Sequence, residues 1–221
     1  MKQIKGLFLK LLTIGLMLAC FVSCVQNKKK LPIMGWRHTE EKTVNGKAVV
    51  DTVYQSIADF SFVNQNGEQV TNKDYAGKIY IADFFFTTCP TICPVMKTQM
   101  LRVYERIKDN PNVFILSHSI DPEHDSAEVL HSFAERLGVE APKWNFVTGD
   151  KESIYEIGQT SYIVSVAEDK NAPGGYIHSG AFILIDPNRH IRGIYDGTKA
   201  DQVDRLMNDL PLLEKEFFEN N

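Results

Sequence analysis

Two cysteines lie four residues apart in the stretch TTCPTICP, which follows the apolar run IYIADFFF directly. If a helix begins in this loop, the sulfur atoms of Cys89 and Cys93 lie on one face, one turn apart. Free amide groups and the positive end of a helix dipole favour the thiolate form there, which lowers a thiol pKa. Pro90 and Pro94 suit the first turn of a helix. The stretch therefore predicts a rigid loop that presents two reactive sulfur atoms.

A thiol pair at this spacing is compatible with three kinds of chemistry. A structural disulfide would close a very short loop and gain little stability from chain entropy. A thioredoxin-type redox pair has two residues between its cysteines, whereas CPTIC has three. The threonine that precedes the reactive cysteine in peroxidases of that fold is missing. A metal site is the third possibility, because two thiolates are soft ligands for Cu(I) or zinc, and one further donor completes a trigonal copper site.

The elements around the pair alternate between strands and helices. Apolar strands are predicted over residues 79–86 and 112–120, with a helix after each; Asp125 is the predicted N-cap of the second helix. Two more strands around AFILID and HIRGIYDG form a terminal hairpin before a last helix. Asn45-Gly46 predicts an additional hairpin near the N-terminus. This order predicts an α/β sheet covered on both faces. The cysteine pair at the first strand-to-helix junction narrows this to a thioredoxin-like fold with an N-terminal β-hairpin extension.

A third metal ligand has to come from elsewhere in the chain, which contains six histidines. His178 lies in GGYIHSGAFILID, at the end of a loop that immediately precedes an apolar strand. In a thioredoxin-like fold the loop before this strand faces the helix that follows the cysteines. His178 is therefore the predicted third ligand, whereas His118 and His124 are predicted to make local hydrogen bonds.

The N-terminal residues are typical of an export signal. Three lysines precede the apolar residues 11–22, a stretch too short to span a bilayer. It ends in LACFVSC, which resembles a bacterial lipoprotein signal, in which a cysteine becomes the lipidated N-terminus after cleavage. Cys24 is the predicted lipidation site and Cys20 the alternative, because Ser23 and the polar VQNKKK flank Cys24. An ordinary cleaved signal or an uncleaved anchor remains open.

Each of these signals takes the domain out of the cytoplasm, so we expect the protein in the cell envelope, facing the periplasm or the exterior. We predict a signal peptide over residues 1–24, a linker over residues 25–50 and a folded domain over residues 51–221. A hydrophobic content of 43% and a charged content of 24% are those of a globular protein. The net charge of −4 excludes a large basic surface, so nucleic acid is not an expected partner.

Three stretches resemble the signature segments of the Sco (SenC) family of cytochrome oxidase assembly factors, and they occur in the same order: FFFTTCPTICPVM, SIDPEHDSAEVLHSFAERLG and YIHSGAFILIDP. The resemblance covers residues 60–210. It implies a thioredoxin-like domain that binds copper through Cys89, Cys93 and His178. It also places Asp121 beside the site, either as a carboxylate that orients His178 or as a turn residue at the end of a strand. One departure is Gly180, where an apolar residue commonly follows the serine.

The resemblance further implies a metallochaperone rather than an enzyme in the strict sense. Such a protein accepts Cu(I) or Cu(II) and passes it to the binuclear copper centre of a respiratory oxidase, or reduces the cysteines of that centre. The alternative is a thiol-disulfide oxidoreductase of the cell envelope that uses Cys89 and Cys93 as a redox-active pair. The copper-centre subunit of the oxidase is the expected partner. A second thioredoxin-like protein is expected as a reductant, because metal-binding thiols must stay reduced outside the cytoplasm.

Overall fold

The computed structural model describes residues 30–219, which contain three β-sheets and four α-helices. The strands are β1 (Arg37–Val44), β2 (Lys47–Tyr54), β3 (Ser61–Asn64), β4 (Gln69–Thr71), β5 (Ile79–Phe85), β6 (Val113–Ser119), β7 (Trp144–Thr148), β8 (Val166–Glu168), β9 (Tyr176–His178), β10 (Ala181–Ile185) and β11 (Ile191–Asp196). The helices are α1 (Ile92–Ile107), α2 (Ala127–Leu137), α3 (Lys151–Glu156) and α4 (Ala200–Phe218).

The largest sheet has the strand order β11-β10-β5-β6-β7-β3-β4. Strands β5, β6 and β7 are parallel, and β10 pairs antiparallel with β5. Every residue of β5 and β6 is buried, which explains why both strands are rich in apolar residues on both faces instead of alternating between apolar and polar residues. The carboxyl ends of β5 and β6 lie side by side, so the loops that follow them meet at one edge of the sheet.

Helices cover the sheet face that carries Phe85. Phe133 of α2 stacks on Phe85 with 5.4 Å between the ring centroids, and the ammonium group of Lys97 from α1 lies 4.0 Å above the same ring. On the opposite face, His118 stacks on Phe84 at 4.8 Å, and Tyr162 packs against both rings. The two faces confirm the predicted α/β sheet, and the arrangement is the thioredoxin-like one expected from the sequence.

The N-terminal part of the described chain differs from the linker predicted over residues 25–50. Strands β1 and β2 form a separate two-stranded sheet, and Asn45 and Gly46 both have positive φ, at 52° and 77°, as a type I′ turn requires. The turn was predicted correctly, but the strands extend further than expected. Their residues are exposed on both faces, so the sequence of β1 lacks the apolar alternation that reveals a half-buried strand.

The start of the described chain is fastened to the domain near β11. The guanidinium group of Arg192 donates hydrogen bonds to the backbone oxygens of Leu31 and Pro32 at 2.6 and 3.2 Å. It also pairs with the carboxylates of Asp186 and Glu216. Within residues 30–219 no helix combines the length and hydropathy needed to cross a membrane.

The N-cap of α2 is Ser126, not the predicted Asp125. The Ser126 hydroxyl accepts a hydrogen bond from the backbone N–H of Val129. The prediction was wrong by one residue because aspartate and serine are both good N-cap residues and stand next to each other here. The Asp125 carboxylate is instead fully buried and bound to a different part of the chain.

Candidate metal centre

The three predicted ligands converge at the edge of the sheet. Nε2 of His178 lies 3.6 Å from the Sγ atom of Cys89 and 3.3 Å from that of Cys93. The three potential ligand atoms all lie within 4.8 Å of one another. The two cysteines are not joined by a disulfide. Because two thiols and one imidazole face a common point, a single soft metal ion can bind all three.

Cys89 lies in the loop between β5 and α1, and Cys93 lies at the start of α1. Helix α1 begins at Ile92, so Cys93 lies in its first turn while Cys89 precedes it. A backbone hydrogen bond of 3.3 Å from the N–H of Cys89 to the oxygen of Phe86 folds the loop back towards the strand. Thr91 precedes the helix without a side-chain cap, and its hydroxyl lies 3.6 Å from the Cys89 sulfur. The loop therefore brings Cys89 beside Cys93 although only Cys93 is helical.

The two thiols differ in acidity. Burial raises the pKa of Cys89, but hydrogen bonds from His178 and from the backbone of Thr91 and Cys93 outweigh this and lower it to about 6. For Cys93, burial dominates and raises the pKa to about 12, although the positive charge of Lys97 opposes the shift. The lowering predicted for both thiols is thus wrong for Cys93, because a buried thiolate with few hydrogen-bond donors is unfavourable. Cys89 is the more acidic thiol of the pair.

His178 lies at the end of the small hairpin formed by β8 and β9. The edge of its ring packs against Phe86 with 5.6 Å between centroids, and Phe86 also contacts Tyr176 at 5.1 Å. The Nδ1 atom is buried without a hydrogen-bond partner among the described residues. The ring is therefore positioned by aromatic packing, and its Nε2 atom faces the sulfur atoms.

Asp121 contacts the hairpin but not the histidine ring itself. Its carboxylate accepts a hydrogen bond of 2.8 Å from the hydroxyl of Tyr176, two residues before His178. Burial and this hydrogen bond raise the pKa of the Tyr176 phenol. Asp121 thus holds the hairpin that carries His178 through Tyr176. It makes no direct contact with the imidazole, which was one of its two expected roles.

Asp125 holds the cysteine loop in a corresponding way, and sequence reasoning missed this role. Its buried carboxylate accepts hydrogen bonds from the backbone N–H of Thr87 at 3.0 Å, from the Thr87 hydroxyl and from the hydroxyl of Ser119 at 2.5 Å. The short segment 121–125 therefore contacts both halves of the site. The only signal in the sequence was the presence of two aspartates in DPEHD, and the preference of aspartate for helix N-caps offered a simpler interpretation.

Several residues near the site are buried in the core and stabilise the fold. Asp83 has the hydrogen-bonding partners that its place in an apolar strand requires: the ammonium group of Lys97 at 2.7 Å and the hydroxyl of Ser117. Met96 and Met100 are fully buried in the core. Cys20 and Cys24 lie outside the described residues.

The local hydrogen bonds predicted for His118 are absent. Neither of its ring nitrogens has a hydrogen-bond partner among residues 30–219. The ring is surrounded by the aromatic rings of Phe60, Phe62, Phe84 and Tyr162. Burial alone lowers its pKa to about 3, so the imidazole is neutral at physiological pH.

The fold and site together define a thioredoxin-like domain with a dithiol–imidazole group that could hold a metal ion, and the SCO1/SenC family model matches residues 51–211. This chain belongs to the SCO1/SenC family. It is 30% identical over 166 residues to the SCO1 protein homolog of Bacillus subtilis (strain 168), with 75% of this chain and 86% of that protein covered. It is also 30% identical to the mitochondrial SCO1 homolog 1 of Arabidopsis thaliana, over 77% of this chain but only 52% of that longer protein.

Solved structures show the same relationship. A SCO1/SenC family lipoprotein from Bacillus anthracis str. Ames is 31% identical, with a TM-score of 0.66 over 72% of this chain and 95% of that one. BsSco, a member of the Sco family of cytochrome c oxidase assembly proteins in which a disulfide switch has been identified, is 30% identical, with a TM-score of 0.64 over 72% and 93%. Arabidopsis thaliana ScoI with copper bound is 27% identical, with a TM-score of 0.60 over 72% and 98%.

Proposed function

We propose that this protein carries copper, as Cu(I) or Cu(II), on Cys89, Cys93 and His178 and delivers it to the binuclear copper centre of a respiratory cytochrome oxidase. The observation that carries the proposal is the convergence of two thiols and one imidazole within 4.8 Å. Sulfur and imidazole ligands suit copper. The copper-bound structure of Arabidopsis ScoI and the assembly role of the family in BsSco support the same assignment.

Copper is cargo in this proposal rather than a permanent cofactor. The group contains three candidate ligands, and within residues 30–219 no fourth cysteine, histidine or carboxylate joins them. A structural zinc site is normally closed by four ligands, whereas a three-ligand site leaves a position open. The thiols of an acceptor can enter through that position and replace the ligands of this protein one at a time.

Copper titration tests the ligand set. The reduced protein is titrated with Cu(I) against a chromophoric competitor, together with the variants Cys89→Ser, Cys93→Ser and His178→Ala. We expect one copper ion per parent chain and at least tenfold weaker binding in each variant. His131→Ala is the matched control, because His131 is exposed on α2, and it should bind copper like the parent. Unchanged binding by His178→Ala would show that the third ligand is assigned wrongly.

A second candidate function is thiol-disulfide reduction by the same cysteine pair. The difference between the pKa of Cys89, about 6, and that of Cys93, about 12, favours it, because a thiolate is the nucleophile in disulfide exchange. Cys89 attacks one sulfur of a substrate disulfide and releases one substrate thiol. Cys93 then attacks Cys89, releases the second thiol and leaves a Cys89–Cys93 disulfide. The disulfide switch of BsSco is consistent with this chemistry.

The two functions can be separated with metal-free protein. Reduction of the oxidised cysteines of an oxidase copper-site peptide, with loss of both protein thiols, supports the second function. In that case a further thioredoxin-like protein has to reduce the Cys89–Cys93 disulfide again, and it is the proposed additional partner. If mild oxidants do not produce the Cys89–Cys93 disulfide, copper delivery alone remains.

We also propose that the protein is a lipoprotein anchored through Cys24 at a membrane surface of the cell envelope. The motif LACFVSC supports this, as does the lipoprotein character of the relative from Bacillus anthracis. Metabolic labelling with a fatty acid, followed by mass spectrometry of the N-terminal peptide, tests it. Label should be absent from Cys24→Ser and present in Cys20→Ser. The opposite pattern would assign the lipid to Cys20.

A further inference from the structure

A cavity of about 240 Å³ opens beside the cysteine pair, between α1 and α2. Its wall contains both thiols of the candidate metal centre and four large apolar side chains: Cys89, Cys93, Phe86, Leu101, Phe133 and Leu137. Leu101, Phe133 and Leu137 are only partly buried, so the apolar wall is in part open to solvent. The cavity is therefore continuous with the place where sulfur chemistry occurs.

The cavity offers no unpaired charge to a ligand. The one charged residue in its lining, Lys97, directs its ammonium group to Asp83 at 2.7 Å and is buried. Thr98 lies in the lining as an exposed residue, and its hydroxyl donates to the backbone oxygen of Pro94 at 2.9 Å. Thr87 also lines the cavity, and its hydroxyl donates a hydrogen bond to Asp125. The remaining surface is hydrocarbon, aromatic ring and sulfur. A ligand that fits this cavity is consequently apolar.

The size of the cavity matches one side chain. An engineered apolar cavity of about 150 Å³ is large enough to bind benzene. The larger volume here accommodates a branched aliphatic or an aromatic side chain. A protein that brings its own cysteine to Cys89 must also bring the residues next to that cysteine, and these residues then lie over the cavity.

We propose that this cavity binds one apolar side chain of the acceptor protein, from a residue adjacent to the acceptor cysteine that exchanges copper or electrons with Cys89 and Cys93. The inference rests on the proposed function, because it requires that a partner thiol approaches this pair. It adds the chemistry by which the partner is recognised: an accessible cysteine flanked by a large apolar residue.

Exchange rates with two peptide disulfides test the proposal without copper. The peptides are symmetric disulfide dimers that differ in the residue after the cysteine, which is leucine in one and serine in the other. Cys89 of the reduced, metal-free, detergent-solubilised protein attacks one peptide sulfur and releases the first peptide thiol. Cys93 then releases the second thiol and forms the Cys89–Cys93 disulfide. Stopped-flow detection of released thiol gives the rate constant for each peptide.

We expect the parent protein to react about tenfold faster or more with the leucine peptide. Thr98→Trp and Leu137→Trp, which fill or cover the cavity from its two helices, should reduce this ratio to below two while they keep the rate with the serine peptide. Thr98 is exposed, so its variant should fold even if Leu137→Trp does not. Glu105→Trp, at an exposed position of α1, is the control and should keep the tenfold preference.

Equal rates with the two peptides in the parent protein, or an undiminished preference in Thr98→Trp, would each overturn the proposal. Copper titration of the same proteins is read separately. Thr98→Trp should bind copper like the parent, because the substitution leaves Cys89, Cys93 and His178 in place. Normal copper binding without a peptide preference refutes the cavity proposal alone, whereas loss of copper binding by the parent refutes the proposed function.

Discussion

The buried imidazole of His118 predicts a specific loss of stability in acid. Its pKa is lowered from 6.5 to about 3 in the folded protein because the neutral ring is enclosed by aromatic side chains. In the unfolded chain the ring is hydrated and takes up a proton below about pH 6.5. Protons therefore bind to the unfolded state first, and the contribution of His118 to stability is lost progressively as the pH falls from 6.5 towards 3.

The magnitude follows from the two pKa values. At pH 7.5 the ring is neutral in both states, so its protonation contributes nothing to the difference in free energy. At pH 4.5 the unfolded ring is almost fully protonated and the folded ring is still neutral, which lowers the free energy of unfolding by about 2.7 kcal/mol. This is a large part of the stability of an ordinary domain.

The assay is urea unfolding of the parent and of His118→Phe at both pH values. Phenylalanine replaces the imidazole with an apolar ring, so the variant should lose about 2–3 kcal/mol less than the parent between pH 7.5 and 4.5. All other titrating groups are present in both proteins and cancel in the comparison. The absolute stability of the variant does not matter, since only the change with pH is read. Equal losses in the two proteins would refute the reasoning.

Three further predictions concern the surroundings of the metal centre. Lys97→Met leaves the Asp83 carboxylate buried without its cation and should lower the free energy of unfolding by about 3–5 kcal/mol. The double variant Asp83→Leu/Lys97→Met should recover most of this loss, and equal losses in the two variants would contradict the prediction. Tyr176→Phe removes the hydrogen bond between Asp121 and the His178 hairpin. It should lower the free energy of unfolding by about 1 kcal/mol and weaken copper binding by less than tenfold, as measured by titration with Tyr54→Phe as the control. Asp125→Ala removes three hydrogen bonds and should weaken copper binding more than Tyr176→Phe does; the reverse order would refute its role.

The parts of the fold that were predictable are those in which one physical rule dominates. Strands β5 and β6 are buried throughout, so most of their residues are apolar on both faces. The turn at Asn45 and Gly46 was predictable because positive φ at two successive positions is tolerated mainly by these residue types. The length of β1 was not, since both of its faces are exposed and backbone pairing alone defines it.

The ligands of the candidate site were predictable from residue type and place in the chain, but their supports were not. Cys89, Cys93 and His178 stand at the ends of recognisable elements, and the predicted thioredoxin-like arrangement places the loop of His178 opposite the cysteines. Asp125 contacts Thr87, which lies 38 positions earlier in the chain, and Tyr176 contacts Asp121, which lies 55 positions earlier. The high pKa of Cys93 was also not predictable, because it depends on burial rather than on the helix dipole.

If the protein carries the lipid anchor proposed above, the hydrogen bonds of Arg192 to Leu31 and Pro32 limit the distance between the cysteines and the bilayer. The hydrogen bond from Arg192 holds Leu31 near the turn that follows β10. His178 lies just before the other end of β10, and the five residues of this strand span about 17 Å. With a lipid on Cys24, the chain up to Leu31 reaches no more than about 25 Å. On these proposals the metal site lies no more than a few tens of ångströms from the bilayer, and an acceptor protein has to reach it within that distance.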